Sequence, residues 1–173
     1  LTYGIGASYC ISILFGMFRV AGVWPMATYT MVSWVMLSLR YLSSAFGIWK
    51  RQASILRFPS IAQSFVTVSL WWFVLVPIIR ANMTGQALHG FDRFNHSFLL
   101  LNVHGVNLVL SLLDTTLLSP RRLESIDLWF GIAFAYAYSL FYLGFLDTRG
   151  LHFYIILSPR TRFAPLIYAS ILL

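Results

Sequence analysis

The chain has 173 residues, of which 59% are hydrophobic, 17% aromatic and only 10% charged. Together with a mean hydropathy of +0.77, this balance excludes an ordinary soluble domain and indicates a membrane protein. Twelve Lys and Arg residues against five acids give a formal charge of +7. In so apolar a chain, we expect the basic loops to contact anionic phospholipid headgroups, and we expect no nucleic-acid partner.

The apolar stretches predict helices that cross a bilayer. Crossing takes roughly 20 mostly apolar residues, and five stretches are long enough, whereas a sixth is still running where the sequence stops. The predicted spans lie near residues 4–23, 25–47, 58–79, 95–118, 126–146 and 163–173. Since the connections are short, we predict one transmembrane helical domain over residues 1–173: an all-α integral membrane bundle of five complete spans and a truncated sixth. The apolar ends favour an ordered part of a longer protein.

The sequence gives little support for a metal or cofactor site. Cys10 is the single cysteine and lies within the first predicted span, so neither a disulfide within the chain nor a cysteine metal site is expected. A haem between membrane helices needs two facing axial ligands, but His104 is the one histidine deep in a predicted span. We therefore expect no cofactor and no metal.

One stripe of polar residues lies along the fourth predicted span. His104 is about ten residues into that span, roughly 15 Å down the helix and close to mid-membrane. Asn107 follows one turn later, and Asp114 lies ten residues on at roughly the same side. Polar groups at such depth usually face the bundle interior. The stripe marks a functional site or, in the simpler interpretation, hydrogen bonds between helices.

A second reactive group, Thr30, opens the second predicted span. That span enters the membrane from the same side as the fourth, so Thr30 and His104 can share a leaflet. A hydroxyl becomes a nucleophile when a base within about 3 Å takes its proton. The pair could therefore form a minimal acyl-transfer site, although 74 residues separate the two and spacing alone leaves their contact open.

Four features of the chain resemble the androgen-induced family of six-helix membrane hydrolases. Residues 29–32 (YTMV) are similar to the start of the family's second helix, and His104 followed by Asp114 is similar to its fourth. Residues 150–154 (GLHFY) resemble the run after the family's fifth helix, with His152 in place of the usual Trp. The placement of the spans also agrees.

The resemblance implies hydrolysis of fatty acid esters of hydroxy fatty acids. Thr30 would be the nucleophile and His104 the base, with Asn102 or Asn107 as oxyanion donor and Asp114 in a supporting position. The lipid ester would enter laterally from the bilayer. The resemblance further implies a eukaryotic protein of the endoplasmic reticulum or plasma membrane.

The alternative function is that of a non-catalytic accessory subunit. A small bundle with many aromatics, and with basic loops suited to cardiolipin, is also typical of a subunit in a multi-subunit membrane complex, such as a respiratory or ATP synthase assembly of the mitochondrial inner membrane. Its partners would then be other protein subunits as well as membrane lipids. Transport has less support, because no intramembrane charge pair is apparent around Asp114.

Overall fold

The computed structural model describes residues 1–118, 122 and 124–151, and these residues form helices with no strand among them. The all-α prediction is therefore confirmed. The predicted sixth stretch, residues 163–173, and residues 152–154 of the GLHFY run lie outside the described residues. The chain divides into two compact units, Leu1–Ile132 and Ala133–Leu173.

The first unit contains most of the helices. Its α-helices are α1 (Thr2–Ala21), α2 (Tyr29–Phe46), α3 (Lys50–Ser69), α4 (Val76–Ala81), α5 (Gly85–Asn95), α6 (Phe98–Leu101), α7 (Asn107–Leu113) and the start of α8 (Ser125–Phe141). Wider π-helical turns at Leu70–Leu75, Asn102–Val106 and Asp114–Leu118 join or extend them. The continuous helix Phe98–Leu118, made of α6, α7 and two π-helical turns, is called the histidine helix below.

Among the described residues, four helices are long and apolar enough to cross a membrane: Thr2–Ala21, Ala53–Ala81, Phe98–Leu118 and Ser125–Arg149. These helices support an integral membrane protein. The predicted second span, α2, has 18 residues and is not in this set. Ten of its residues are buried, among them three serines and Arg40. The predicted count of five spans is thus not reproduced by length and apolarity, because α2 carries polar groups into the bundle interior.

The start of α2 is fixed by local sequence. Pro25 lies in a 3₁₀ turn, Trp24–Ala27, and its carbonyl accepts a hydrogen bond from the Thr28 hydroxyl at 2.7 Å. The Thr28 side chain also accepts from the backbone N–H of Met31 at 3.3 Å, which is the usual arrangement of an N-cap threonine. Thr30 is consequently held in the first turn of α2.

The packed core of the first unit lies where α1, α2 and the histidine helix meet. Cys10, Trp34, Leu37 and Val103 are among its buried members. The Trp34 indole N–H donates to the backbone carbonyl of Cys10 at 2.9 Å, so the largest buried side chain is also hydrogen-bonded. Cys10, which lies in the first predicted span, is buried within this core.

The second unit is described as far as Leu151. It comprises the end of α8, a π-helical turn at Tyr142–Leu146 and a 3₁₀ turn at Asp147–Arg149. The Arg149 guanidinium lies 3.5 Å from the centre of the Phe145 ring, a cation–π contact. Gly150 ends the helix with φ 74°, a conformation that glycine adopts without strain.

A close approach between α1 and α2 yields the first prediction. A Cβ on Gly6 would overlap two ring carbons of Tyr41, whereas a Cβ on Gly4 of the same helix has no atom of the described residues within 4 Å. We expect Gly6→Ala to lower the thermal unfolding temperature in detergent, since overpacking costs about 1–3 kcal/mol. Gly4→Ala should leave that temperature unchanged or higher, because alanine favours helix. Equal unfolding temperatures of the two variants would contradict the packing described.

Candidate active site

Thr30 and His104 are in contact. The Thr30 hydroxyl oxygen lies 3.3 Å from the imidazole Nε2 of His104, and each residue is 8% exposed. The first turn of α2 presents the threonine, and the histidine helix presents the imidazole. A hydroxyl and a nitrogen base at this separation, shielded from solvent, have the geometry needed for proton transfer between them.

Two tryptophans contact His104, one at the face of its imidazole ring and the other at its backbone carbonyl. The Trp71 indole stacks on it with ring centres 3.8 Å apart and planes at 12°, and the Trp71 N–H donates to the Asn95 side-chain oxygen at 2.8 Å. The Trp72 N–H donates to the His104 carbonyl at 2.7 Å. That carbonyl belongs to the π-helical turn Asn102–Val106. Such turns widen a helix and often accompany functional sites.

The other imidazole nitrogen, Nδ1, is buried and makes no hydrogen bond within the part of the chain that the structure describes. A neutral imidazole that carries its proton on Nδ1 has its Nε2 lone pair facing Thr30, which is the form that a general base requires.

The histidine helix begins later than the predicted fourth span, which starts near residue 95. It begins at Phe98, because α5 continues to Asn95 and Ser97 caps the next helix by accepting from the Leu100 N–H at 3.4 Å. His104 is therefore six residues into the apolar helix, about 9 Å at 1.5 Å per residue, instead of the ten residues that the sequence predicts. The depth of His104 in a bilayer stays a prediction.

The two predicted oxyanion donors differ in their surroundings. The Asn102 side-chain oxygen accepts a hydrogen bond from the Tyr9 hydroxyl, and its nitrogen donates to the Phe98 carbonyl at 2.8 Å. Asn102 thus links α1 to the histidine helix. Asn107 is fully buried, and neither its amide nitrogen nor its amide oxygen has a hydrogen-bond partner among the described residues. Of the two asparagines, only Asn102 has its amide bonded by these residues.

Asp114 does not join the Thr30–His104 contact. Its carboxylate accepts hydrogen bonds from Arg40 Nε at 2.9 Å and Arg40 Nη2 at 3.2 Å. The Tyr3 hydroxyl donates to the same carboxylate at 2.9 Å, and Arg40 Nη1 donates to Ser44 at 3.1 Å. This buried charge pair was not predicted from the sequence. Arg40 follows Thr30 by the same ten residues that separate Asp114 from His104, and that equal spacing was the available signal.

Two side-chain contacts between α2 and the histidine helix join residues 74 positions apart: Thr30 with His104, and Arg40 with Asp114. Between them, the Tyr41 hydroxyl donates to the Leu110 carbonyl at 3.0 Å. The two helices therefore run parallel and in register between the contacts. The ion pair anchors one end of the register, and the hydroxyl–imidazole pair lies at the other. The separation of Thr30 from His104 thus depends on the axial position that the ion pair sets.

Comparison with protein-family models, with curated proteins and with solved structures finds no match. Within residues 1–118, 122 and 124–151, no cluster of three or more His, Cys, Asp or Glu side chains is arranged to hold a metal ion. The site is therefore interpreted from its own chemistry.

The buried ion pair yields the second prediction, with an exposed pair as its control. Asp114→Leu should strongly lower the unfolding temperature in detergent, because leaving one buried charge unpaired costs about 3–5 kcal/mol. Asp92→Leu, which breaks the half-exposed pair between Asp92 and Arg80 at 2.7 Å, should change it little, since such pairs contribute about 0–1 kcal/mol. The double change Arg40→Leu with Asp114→Leu should recover part of the loss. Equal effects of the two single changes would show that the buried pair is not an anchor.

Proposed function

We propose that the protein is a membrane hydrolase of lipid esters in which Thr30 is the nucleophile and His104 the general base. The observation that carries this proposal is the buried contact of 3.3 Å between the Thr30 hydroxyl and His104 Nε2. Threonine hydroxyls in membrane helices usually bond back to a carbonyl of their own helix, as Thr115 and Thr116 do. Thr30 instead faces a base on another helix.

The reaction follows from the two groups in contact. His104 Nε2 takes the proton of Thr30 as its oxygen attacks the ester carbonyl, and then passes that proton to the departing hydroxyl group. The acyl chain remains on Thr30 as an ester. Water then attacks this ester, gives its proton to His104, and releases the fatty acid as the proton returns to the Thr30 oxygen. Each step uses the same imidazole first as base and then as acid.

Two features of the site would stabilise the charges that form during these steps. The imidazole becomes a cation after taking a proton, and the Trp71 face stacked on it stabilises a cation by about 0.5–2 kcal/mol. The carbonyl oxygen becomes an anion beside the first turn of α2. Backbone N–H groups of a first helical turn lack acceptors within the helix and attract negative charge. Thr30 belongs to that turn.

The substrate class follows from depth and from the family resemblance. At about 9 Å below the start of an apolar helix, the site is within reach of an ester whose polar end stays at the membrane surface and whose chains lie among lipid tails. Fatty acid esters of hydroxy fatty acids, the substrates of the androgen-induced family, have this form. The same resemblance supports the proposed location, which is the endoplasmic reticulum or plasma membrane of a eukaryotic cell.

The third prediction concerns the pair itself. Thr30→Val keeps the shape and removes the hydroxyl, so it should abolish both labelling by a lipophilic fluorophosphonate and fatty acid release from the ester. His104→Gln should lower the rate by about 10²–10⁴-fold, as loss of a general base does. Thr30→Ser should retain part of the activity.

Matched controls for these variants lie outside the site. Thr116→Val removes an exposed hydroxyl that donates to the Leu112 carbonyl of its own helix. His96→Gln removes an exposed histidine that is not part of the Thr30–His104 contact. Both should keep normal rates. A well-folded wild-type protein that is neither labelled nor active would overturn the proposal. The accessory-subunit alternative would then be tested by native mass spectrometry for bound partners.

The fourth prediction concerns the ring stacked on His104. We expect Trp71→Leu to reduce kcat by about tenfold, which corresponds to about 1.4 kcal/mol and lies within the range of a cation–π contact. KM should change little, because the contact strengthens only when the imidazole carries charge. Trp129→Leu, at an exposed position of α8, should leave kcat unchanged. A rise in KM at constant kcat would instead assign Trp71 to substrate binding.

A further inference from the structure

Three buried polar side chains near the Thr30–His104 pair have no protein hydrogen-bond partner in the part of the chain that the structure describes. They are Ser33 on α2, Thr67 on α3 and Asn107 on the histidine helix, and none is more than 4% exposed. The Ser33 and Thr67 hydroxyl oxygens and both amide atoms of Asn107 are unmatched. These three residues are called the polar layer below.

The helix register brings the three residues to one level. Ser33 and Asn107 are 74 positions apart, as are Thr30 and His104 and also Arg40 and Asp114. The continuous helix Ala53–Ala81 runs antiparallel to the histidine helix. Along it, Trp71 stacks on His104, and the Ser64 hydroxyl lies 2.8 Å from that of Ser111.

Thr67 and Asn107 each lie between those two contacts on their own helices. The polar layer is therefore one helical turn, about 5 Å, from His104. Hydroxyl and amide groups from three helices converge beside the candidate active site.

Such a layer requires a small polar occupant. Buried donors and acceptors without partners are strongly destabilising, so folded proteins satisfy them with protein groups or internal water. Because Ser33 and Asn107 are fully buried, the layer is closed to a lipid headgroup. An internal water usually makes two to four hydrogen bonds, and the layer has four unmatched atoms of the donor and acceptor types that water bonds.

The polar surface continues along α3, away from His104. Ser60 and Gln63 are buried, and the Ser60 hydroxyl and both Gln63 amide atoms also lack partners among the described residues. With Ser64 they share one face of α3 at spacings of three and four residues. This face continues the row of buried polar groups from the polar layer along α3.

We propose that the polar layer holds the water that releases the acyl group from Thr30, and that Asn107 is the residue that positions it. This inference rests on the proposed function. The water oxygen attacks the carbonyl carbon of the acyl ester on Thr30, and one water proton passes to His104 Nε2. As the bond between the acyl carbon and the Thr30 oxygen breaks, that proton moves to the Thr30 oxygen, and the free fatty acid leaves.

The test separates acylation from deacylation in the full-length protein, with a p-nitrophenyl fatty acid ester as probe. Asn107→Leu keeps the side-chain size and removes the amide. We expect it to preserve the initial burst of nitrophenol but to slow the steady state by at least about tenfold, since a misplaced reactant can cost up to about a hundredfold. The acyl–Thr30 ester should then accumulate, as a mass increase of one acyl group in the intact protein.

A smaller change with a matched control guards against misfolding. Ser33→Ala should also slow the steady state, whereas Ser38→Ala should not, because the buried Ser38 hydroxyl already donates to the Trp34 carbonyl of its own helix at 2.7 Å. Hydroxylamine should restore turnover in Asn107→Leu by taking the acyl group as a hydroxamate. A merely structural defect would not be rescued in this way.

The outcomes distinguish the two proposals. If wild-type protein shows a burst and turnover but Asn107→Leu deacylates at the same rate, the water-positioning inference is wrong and the hydrolase proposal stands. If Asn107→Leu loses the burst together with the steady state, Asn107 acts in acylation, and the inference is again wrong. If wild type forms no acyl ester at all, both proposals fail.

Discussion

The ion pair between Arg40 and Asp114 is the interaction on which the arrangement of the first unit depends. Both side chains are almost fully buried, in a chain of which only 10% of the residues are charged. A charge in such surroundings is tolerated only when it is paired and hydrogen-bonded, and Tyr3 and Ser44 supply the additional bonds. Sliding α2 along the histidine helix by one turn would separate the two charges. The pair therefore selects one axial register from the several that apolar packing alone would permit.

That register accounts for the polar side chains that α2 buries. Its buried face must present Arg40 at one end and Thr30 at the other, about 15 Å apart at 1.5 Å per residue. The helices around it complete the arrangement: α1 contributes Tyr3 and the carbonyl that Trp34 bonds, and the π-helical turn after α3 contributes Trp71. Low apolarity in α2 thus reflects a position within the bundle.

Composition alone predicts the helical class and the membrane setting, because no soluble core accounts for so many apolar residues. The spacing of polar residues, together with family resemblance, also selects Thr30 and His104, which the structure brings together. The pairing of Asp114 with Arg40 was missed, because Arg40 belongs to none of the motifs considered. The start of the histidine helix was placed too early, since the sequence does not separate α5 from the helix that follows it. Trp71 could not have been found, because stacking on His104 arises only when the π-helical turn after α3 packs against the histidine helix.

The unmatched polar atoms bear on the choice between a scaffold and an enzyme. A scaffold gains from filling its interior with apolar side chains, because each buried polar atom without a partner lowers stability by about 1–3 kcal/mol. Among the described residues, such atoms occur at the level of the turn after His104, on Ser33, Thr67 and Asn107. The hydroxyls of Ser38 and Thr116 instead donate to carbonyls of their own helices. Natural proteins tend to break local packing rules at sites where chemistry requires it. Unmatched polar groups beside the contact of Thr30 with His104 therefore favour the proposed enzyme over the accessory subunit.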